Sequence, residues 1–399
     1  MYINDTYDEC FSVLLRHSIR LCDKSPWHLG FLSCQLSFFA ILDSGYGKKH
    51  YLCTLMEATI EKRIFHFRFK AGTSRGSYTT RTSWLVTLTD EQGHEGRGEC
   101  APLPQLSCDD VHDYEAVLQK ACRSLQSMGE VDVEPLRPYP SILFGLETAM
   151  LNLKRQSWAL FDTPFSQGKV GIPINGLVWM GSFEEMKRRM EEKLSGGYRC
   201  VKLKIGAIDF DEELSLIRQL RQRYSKEYVE LRVDANGAFS PEEAPHRLEQ
   251  LARYDIHSIE QPIRQRQWQN MARLCRNTPL PIALDEELIG VNMPTEKEEL
   301  LDTIRPQYII LKPSLHGGMT GCAEWVDMAD KRGVGSWMTS ALECNIGLNA
   351  VAHLAAHLYG PDVAMPQGLG TGQLFTDNVF APLRLVGDKM WFGRDDDVD

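Results

Sequence analysis

Five ionisable residues recur through the second half of the chain at a nearly constant interval. Lys204, Asp234, Glu260, Asp285 and Lys312 are separated by 30, 26, 25 and 27 residues. Each ends a short apolar run: Val201-Lys202-Leu203-Lys204, Leu231-Arg232-Val233-Asp234, Ser258-Ile259-Glu260, Ile282-Ala283-Leu284-Asp285 and Ile309-Ile310-Leu311-Lys312. Three carboxylates brought together would repel one another and resist burial, and a hard divalent cation relieves both effects. Oxygen-only ligands select Mg²⁺, or Mn²⁺, over zinc, which favours His or Cys. Lys202 and Lys204 stand two apart on a strand and share a face. Lys204 precedes the first acid by one strand and Lys312 follows the third, so the two flank the metal. A lysine beside a cation and partly buried loses basicity and can act as a general base. The chemistry implied is proton abstraction next to a carboxylate, with the metal stabilising the enediolate.

These residues need a scaffold that repeats every 25–30 residues. From about residue 170 the pattern alternates strand and helix. Strands are predicted at Ile172–Val178, Cys200–Ile205, Val229–Val233, Ile256–Glu260, Pro281–Leu284, Tyr308–Lys312, Ser336–Thr339 and Val363–Pro366. Helices between them start at recognisable caps: Ser182 with Glu185, Ser240-Pro241-Glu242-Glu243, and Thr295 with Glu298. About eight strands joined by helices demand parallel pairing, and a closed barrel accounts for polar residues after nearly every strand. A doubly wound sheet is the second possibility, but the GxGxxG fingerprint after the first strand is absent. In a barrel the strand ends form one mouth, where barrel enzymes keep their chemistry. Residues 56 to about 100 read as an antiparallel sheet, with strands at Glu61–Lys70 and Ser83–Thr89. Helices follow at Asp109–Met128 and Ile142–Lys154. The expected organisation is an extension at 1–55, an α+β capping domain at 56–156, a barrel at 157–375 and a C-terminal segment at 376–399.

The chain has 399 residues, 25% charged and 43% hydrophobic, with a net charge of −10. This composition describes a globular protein and offers no footprint for nucleic acid or an anionic membrane. The expected partner is a small-molecule carboxylate; the oligomeric state is left open. Eleven cysteines show no CxxC pair, which reads as free, mostly buried thiols in a reducing cytoplasm. Four of them fall within residues 1–55, where no period of 2 or 3.6 is sustained. Alternation begins only after Met56, so residues 1–55 are read either as the product of an upstream start or as an extension.

The motifs KxK at 202–204, DANGAF at 234–239, EQP at 260–262, DEE at 285–287 and LKPS at 311–314 resemble the enolase superfamily, in its muconate-lactonising-type group. Gly98-Glu99-Cys100-Ala101-Pro102, Pro140 to Glu147 and Ile174-Asn175-Gly176-Leu177 narrow the resemblance to the o-succinylbenzoate synthase family. The resemblance runs from about Glu57 to near the C-terminus. It implies a (β/α)7β TIM-like barrel under an N-terminal α+β cap, with the end of the chain returning to the cap. It assigns Asp234, Glu260 and Asp285 to Mg²⁺, Lys204 to the base and Lys312 to stabilising the enediolate. Lys202 would hold the carboxylate or tune Lys204. The implied reaction is syn dehydration of 2-succinyl-6-hydroxy-2,4-cyclohexadiene-1-carboxylate in menaquinone biosynthesis. Glu287 departs from the family pattern, where Ser is common, and adds a charge in or near the metal's surroundings.

Other features bear two readings. Thr339 and Ser340 end the seventh strand and either contact substrate or simply terminate the strand. Gly368-Leu369-Gly370-Thr371-Gly372 reads as a turn whose N–H groups can hold an anion. Gly72 to Gly76 suits a lid or an ordinary hairpin. His353 and His357 share a helix face without a third metal ligand. On the same scaffold, N-succinyl amino acid racemisation or dipeptide epimerisation would use the same two lysines. Residues 363–375 contain no acid, and so lack the Asp-x-Asp that would hold the ammonium group of a dipeptide. A metal-free Schiff-base aldolase would leave the aligned acids unexplained, and a non-catalytic barrel would leave the whole set unexplained.

Overall fold

The computed structural model describes residues 56–73, 76–361 and 363–393. The extension at 1–55, the Ser74–Arg75 tip of the expected lid and residues 394–399 lie outside the described residues. Three antiparallel strands open the fold, β1 (Glu57–Thr73), β2 (Gly76–Thr89) and β3 (Glu95–Cys100), paired in chain order. Two helices follow, α1 (Tyr114–Met128) and α2 (Pro140–Arg155). Tyr114, Leu118, Ala121, Cys122 and Leu125 form the buried stripe of α1, at the spacing of one helix face. The helix expected from Asp109 begins five residues later, because the Asp109 side chain is used elsewhere. Its carboxylate is buried and accepts from Ser141 N at 2.8 Å and Ser141 Oγ at 2.6 Å, tying the preceding loop to the start of α2. Helix α2 packs directly on β3. A Cβ at Gly98 would lie 1.9 Å from Gly145 O, so only glycine allows this approach.

The barrel strands are β5 (Gly176–Val178), β6 (Cys200–Lys204), β7 (Glu230–Asp234), β8 (Ser258–Glu260), β9 (Ile282–Leu284), β10 (Tyr308–Leu311) and β11 (Gly335–Met338). All are parallel and neighbours follow chain order. The intervening helices are α3 (Phe183–Ser195), α4 (Phe210–Arg223), α5 (Ala244–Leu251), α6 (Trp268–Asn277), α7 (Pro294–Ile304) and α8 (Gly318–Asp330), with α9 (Asn345–Leu358) after β11. Ser182 and Glu185 form the expected capping box on α3. On α7 the cap lies two residues before Thr295: Glu296 reaches back to Met293 N at 3.3 Å, with Pro294 in the first turn.

The ring closes at Gln367–Gly368, not at the expected Val363–Pro366. Gln367 bridges Ile174 and Gly368 bridges Thr339, both in parallel. Pro366 has no N–H to give a ladder. Gln367 N donates to Pro173 O at 2.8 Å, while Gly368 N reaches Met338 O at 2.8 Å on the other side. The strand expected at Ile172–Val178 is likewise divided. Its first part, β4 (Ile172–Pro173), pairs instead with the terminal hairpin of β12 (Leu383–Val386) and β13 (Lys389–Phe392).

Two carboxylates from the first hundred and fifty residues lock onto barrel helices. Glu147 of α2 accepts from Met319 N and from Thr320 N and Oγ1, at the start of α8. Glu99 of β3 accepts from Cys344 N at 3.0 Å and Gly347 N at 3.1 Å, at the start of α9. Helix N-termini leave N–H groups unsatisfied and favour negative charge, so both acids serve as caps supplied from outside the helix. Past the barrel, Phe375 bridges Phe67 of β1 with its ring stacked 4.6 Å away, and Thr376 N donates to His66 O. No helix among the described residues is long and apolar enough to cross a membrane. The seven described cysteines are free, and all but Cys108 are buried.

Candidate active site

Lys204, Asp234 and Glu260 are direct Cα partners on β6, β7 and β8, so they do stand at one height. Asp285 follows β9 and Lys312 follows β10. Four acids meet three lysines there. Lys202 Nζ donates to Glu260 Oε2 at 2.8 Å and lies 3.6 Å from Asp234 Oδ2. Lys204 Nζ donates to Asp234 Oδ2 at 3.0 Å and to Asn236 Oδ1 at 2.7 Å. Lys312 Nζ is paired with Asp285 Oδ2. Asn236 Nδ2 in turn donates to Glu286 Oε1 at 3.0 Å.

The electrostatics follow from burial. Burial alone would push Asp234 up, yet Lys204 and Lys202 hold it down at about 2. Glu260 is driven the other way, to about 8, by burial and by the charge of Asp234. Burial also raises Asp285 and Glu286. Burial would depress Lys202 and Lys312, but the surrounding carboxylates outweigh it and hold both ammonium groups charged. The site therefore gathers four buried carboxyl groups against three ammonium groups, and the raised acids show what full ionisation of the set costs without a further positive charge.

The chemistry of this set suits a hard cation. Glu260 Oε1, Asp285 Oδ1 and Glu286 Oε2 are buried and have no hydrogen-bond partner. Unpartnered buried carboxylate oxygens are costly unless something positive meets them. Among the described residues no three His, Cys, Asp or Glu side chains are gathered as a finished ligand set. The Lys202 ammonium stands between Asp234 and Glu260, and that of Lys312 sits on Asp285. The residues present fit Mg²⁺ or Mn²⁺ by donor type and by their open oxygens.

A cavity of about 520 Å³ opens over this cluster, lined by Lys202, Lys204, Asp234, Glu260, Glu286 and Lys312 at one end. Phe69, Leu103, Leu106, Trp179, Leu342 and Leu374 supply apolar wall. Thr339 and Ser340 both line it. Thr339 Oγ1 is buried without a partner, whereas Ser340 Oγ donates to Glu343 Oε2 at 2.6 Å and accepts from Leu342 N. Thr371, in the glycine-rich turn, also lines the cavity with a buried hydroxyl that has no partner.

Three wall residues escaped the reading of the sequence. Glu286 was hidden beside Asp285. Asn236 follows the strand end, in the left-handed region at φ 44°. Its place in Asp-Ala-Asn-Gly was the available signal, since Asn tolerates that conformation. Trp179 follows β5 directly, and its ring centroid lies 5.9 Å from Lys204 Nζ. Glu287 faces away from the cluster. Its oxygens accept from Arg266 N at 2.6 Å and Gln261 Nε2 at 3.2 Å, which fixes the loop after β8. His353 is a core residue, its Nδ1 on Asn349 O and its ring packed edge-on against Phe165 and Phe392.

The MenC N-terminal domain family matches residues 73–153, and the enolase C-terminal domain-like family matches residues 185–377. The chain is 45% identical to the o-succinylbenzoate synthase of Desulfotalea psychrophila, over 83% of this chain and 98% of that protein. The crystal structure of MenC from the same organism superposes with a TM-score of 0.74 at 40% identity, covering 84% of this chain and 99% of that one. The L-Ala-D/L-Glu epimerase of Bacillus subtilis is 27% identical over 69% of this chain and 78% of its own length. Its substrate-liganded structure, at 22% identity and a TM-score of 0.70, shares the fold. Matched along nearly the whole length of the first relative, and carrying the strand-end acids and lysines on the same kind of barrel, the chain belongs to the o-succinylbenzoate synthase family of the enolase superfamily.

Proposed function

We propose that this chain dehydrates 2-succinyl-6-hydroxy-2,4-cyclohexadiene-1-carboxylate to o-succinylbenzoate and water, a step of menaquinone biosynthesis. The observation that carries this reading is the 45% identity to an o-succinylbenzoate synthase over 98% of that protein. The cavity supports it, because its floor brings three lysines together with Asp234, Glu260 and Glu286, and Lys312 pairs there with Asp285.

Bound Mg²⁺, held by Asp234, Glu260 and Asp285, would supply the positive charge that offsets the carboxylate of the substrate as its α-carbon loses a proton. Lys204 is assigned as the base. Its Nζ takes the proton from the ring carbon that bears the carboxylate, and the C–H electron pair enters the ring as the neighbouring C–O bond breaks. The same ammonium group returns the proton to the departing hydroxide, so both events occur on one face and the elimination is syn. Asn236 and Asp234 fix the position of Lys204 through contacts of 2.7 and 3.0 Å. Lys312 follows a strand four places further round the sheet and is assigned to stabilising the enediolate from across the ring. Lys202 lies deeper, against Glu260, and is assigned to orienting the carboxylate end of the site. The apolar wall excludes water, which strengthens each of these charges. Thr339 and Ser340 are assigned to the substrate boundary.

The test is loss of the cyclohexadiene absorbance with purified protein, with Mg²⁺ and after complete removal of divalent cations by a chelator. Turnover that requires Mg²⁺ or Mn²⁺ and yields o-succinylbenzoate is expected. Undiminished turnover after metal removal, or no turnover with metal present, refutes the reading.

A further inference from the structure

The proposed substrate carries two carboxylates, one on the ring and one at the end of the succinyl tail. The three lysines of the floor each have a carboxylate partner within the protein. A second substrate carboxylate entering the same cavity needs a cation of its own. Four more cationic side chains line the cavity: Arg68, Arg188, Arg189 and Lys193. Arg188 is exposed and paired with Glu192 one turn along α3. Arg68 is exposed, its Nε held by Gln373 O. Lys193 lies over the ring of Tyr198.

Arg189 differs from all three. Its side chain is only 25% exposed, and Nη1 donates to Met180 O at 2.8 Å and Trp179 O at 3.1 Å. These are the carbonyls just beyond β5, at the mouth. The turn is shaped around the guanidinium, since a Cβ at Gly181 would come within 2.9 Å of Nη1. Glu185 is the one carboxylate within 4.0 Å among the described residues, at 3.9 Å from Nη2, and it is already committed to capping α3 through Ser182 N and Oγ. Arg189 is thus held in one geometry with most of its charge unspent. A guanidinium fixed in this way presents a planar fork suited to a carboxylate. Trp179 connects the two ends of the site, its ring near Lys204 and its carbonyl on Arg189.

We propose that Arg189 binds the succinyl-tail carboxylate of the substrate and thereby sets specificity for a dicarboxylate. The inference rests on the reaction proposed above. The tail would run past Trp179 from the reacting ring to the guanidinium.

The experiment compares kcat/KM for the diacid with that for its analogue in which the tail carboxylate is a primary amide, in the unmodified protein and in Arg189→Gln and Arg189→Lys. The unmodified protein should prefer the diacid by on the order of 10- to 100-fold, the worth of a hydrogen bond to a charged group. Arg189→Gln should bring the two substrates to within about threefold, with the loss for the diacid falling mainly on KM, as expected when ground state and transition state lose the same contact. Arg189→Lys keeps the charge but not the fork and should show intermediate discrimination. A role confined to supporting the Trp179–Gly181 turn would lower activity on both substrates equally, so a preference undiminished from that of the unmodified protein in either variant overturns the proposal. If Arg189→Gln does not fold, the Arg189→Lys ratio decides alone. Absence of turnover of the diacid by the unmodified protein would instead refute the reaction. Calorimetric binding of o-succinylbenzoate and its tail amide then decides the Arg189 contact separately: equal affinities overturn it, and a preference lost in the variants supports it.

Discussion

Glu147 joins the α+β region to the barrel, and its titration should be visible in the stability of the whole protein. The carboxylate is largely buried at the N-terminus of α8 and accepts from Met319 N and from both donors of Thr320. Burial raises its pKa from 4.5 to about 7, more than these hydrogen bonds lower it. The folded state therefore holds the proton more tightly than the unfolded chain. Between pH 4.5 and about 7 the unfolded state has released the proton while the folded state retains it, so stability falls as pH rises through that window. At about 1.4 kcal/mol per unit, the penalty accumulates to about 3 kcal/mol and is constant above pH 7. In Glu147→Gln the position no longer titrates. The amide has one acceptor oxygen for three donors, which costs a roughly fixed 1–3 kcal/mol at every pH. The difference in unfolding free energy between the two proteins, measured by urea denaturation from pH 5 to pH 8, should therefore move by about 2.5 kcal/mol in favour of the variant as pH rises, part of the penalty having accrued below pH 5. Other carboxylates cancel in that difference. Parallel curves would refute the reasoning and show that the three donors stabilise the ionised form as well as water does.

Other outcomes are equally specific. Gly98→Ala would place a Cβ 1.9 Å from Gly145 O. It should cost about 3 kcal/mol or more, read as a lowered urea midpoint, because α2 must move off β3. Asn236→Ala removes the contact that holds Lys204 and leaves Glu286 Oε1 without its donor. kcat should fall by roughly 10- to 100-fold in the dehydration assay with the fold intact by circular dichroism, in keeping with misplacement of a base rather than its loss. Asp234→Asn and Glu260→Gln should each weaken Mg²⁺ binding by at least about tenfold in calorimetric titration, since each removes a charged oxygen donor.

The strand-end acids and lysines were legible because a βα unit has a nearly fixed length. Five ionisable residues at one period cannot be spread over a surface by chance, and the parallel register of β6 to β8 then sets Lys204, Asp234 and Glu260 level. What escaped depends on side-chain direction. Glu286 and Glu287 are adjacent and chemically alike, yet Glu286 lines the cavity and Glu287 supports the loop after β8. Nothing in Asp-Glu-Glu distinguishes them before the turn after β9 is built. Trp179 had no polar signal, and it matters only because β5 ends beside Lys204. The barrel closed at Gln367, one residue past the expected strand, because Pro366 has no N–H to offer. Glu99 and Glu147 were noted as parts of motifs, but their function as caps on α8 and α9 needs two elements that are distant in sequence, separated by 245 residues between Glu99 and Cys344. The excess of carboxyl groups over lysines in the floor was implicit in the clustering of acids. The pairing of each lysine with its own acid was not, because it depends on ångström-scale placement.

Lys204 is the group proposed to move the proton. The most direct measurement is the rate of o-succinylbenzoate formation with saturating Mg²⁺ by the unmodified chain and by Lys204→Ala, with the fold of both checked by circular dichroism. Rapid product formation by the unmodified chain and a loss of at least about 10³-fold in the folded variant are predicted for removal of a general base. Equal rates in the two proteins would contradict the assignment.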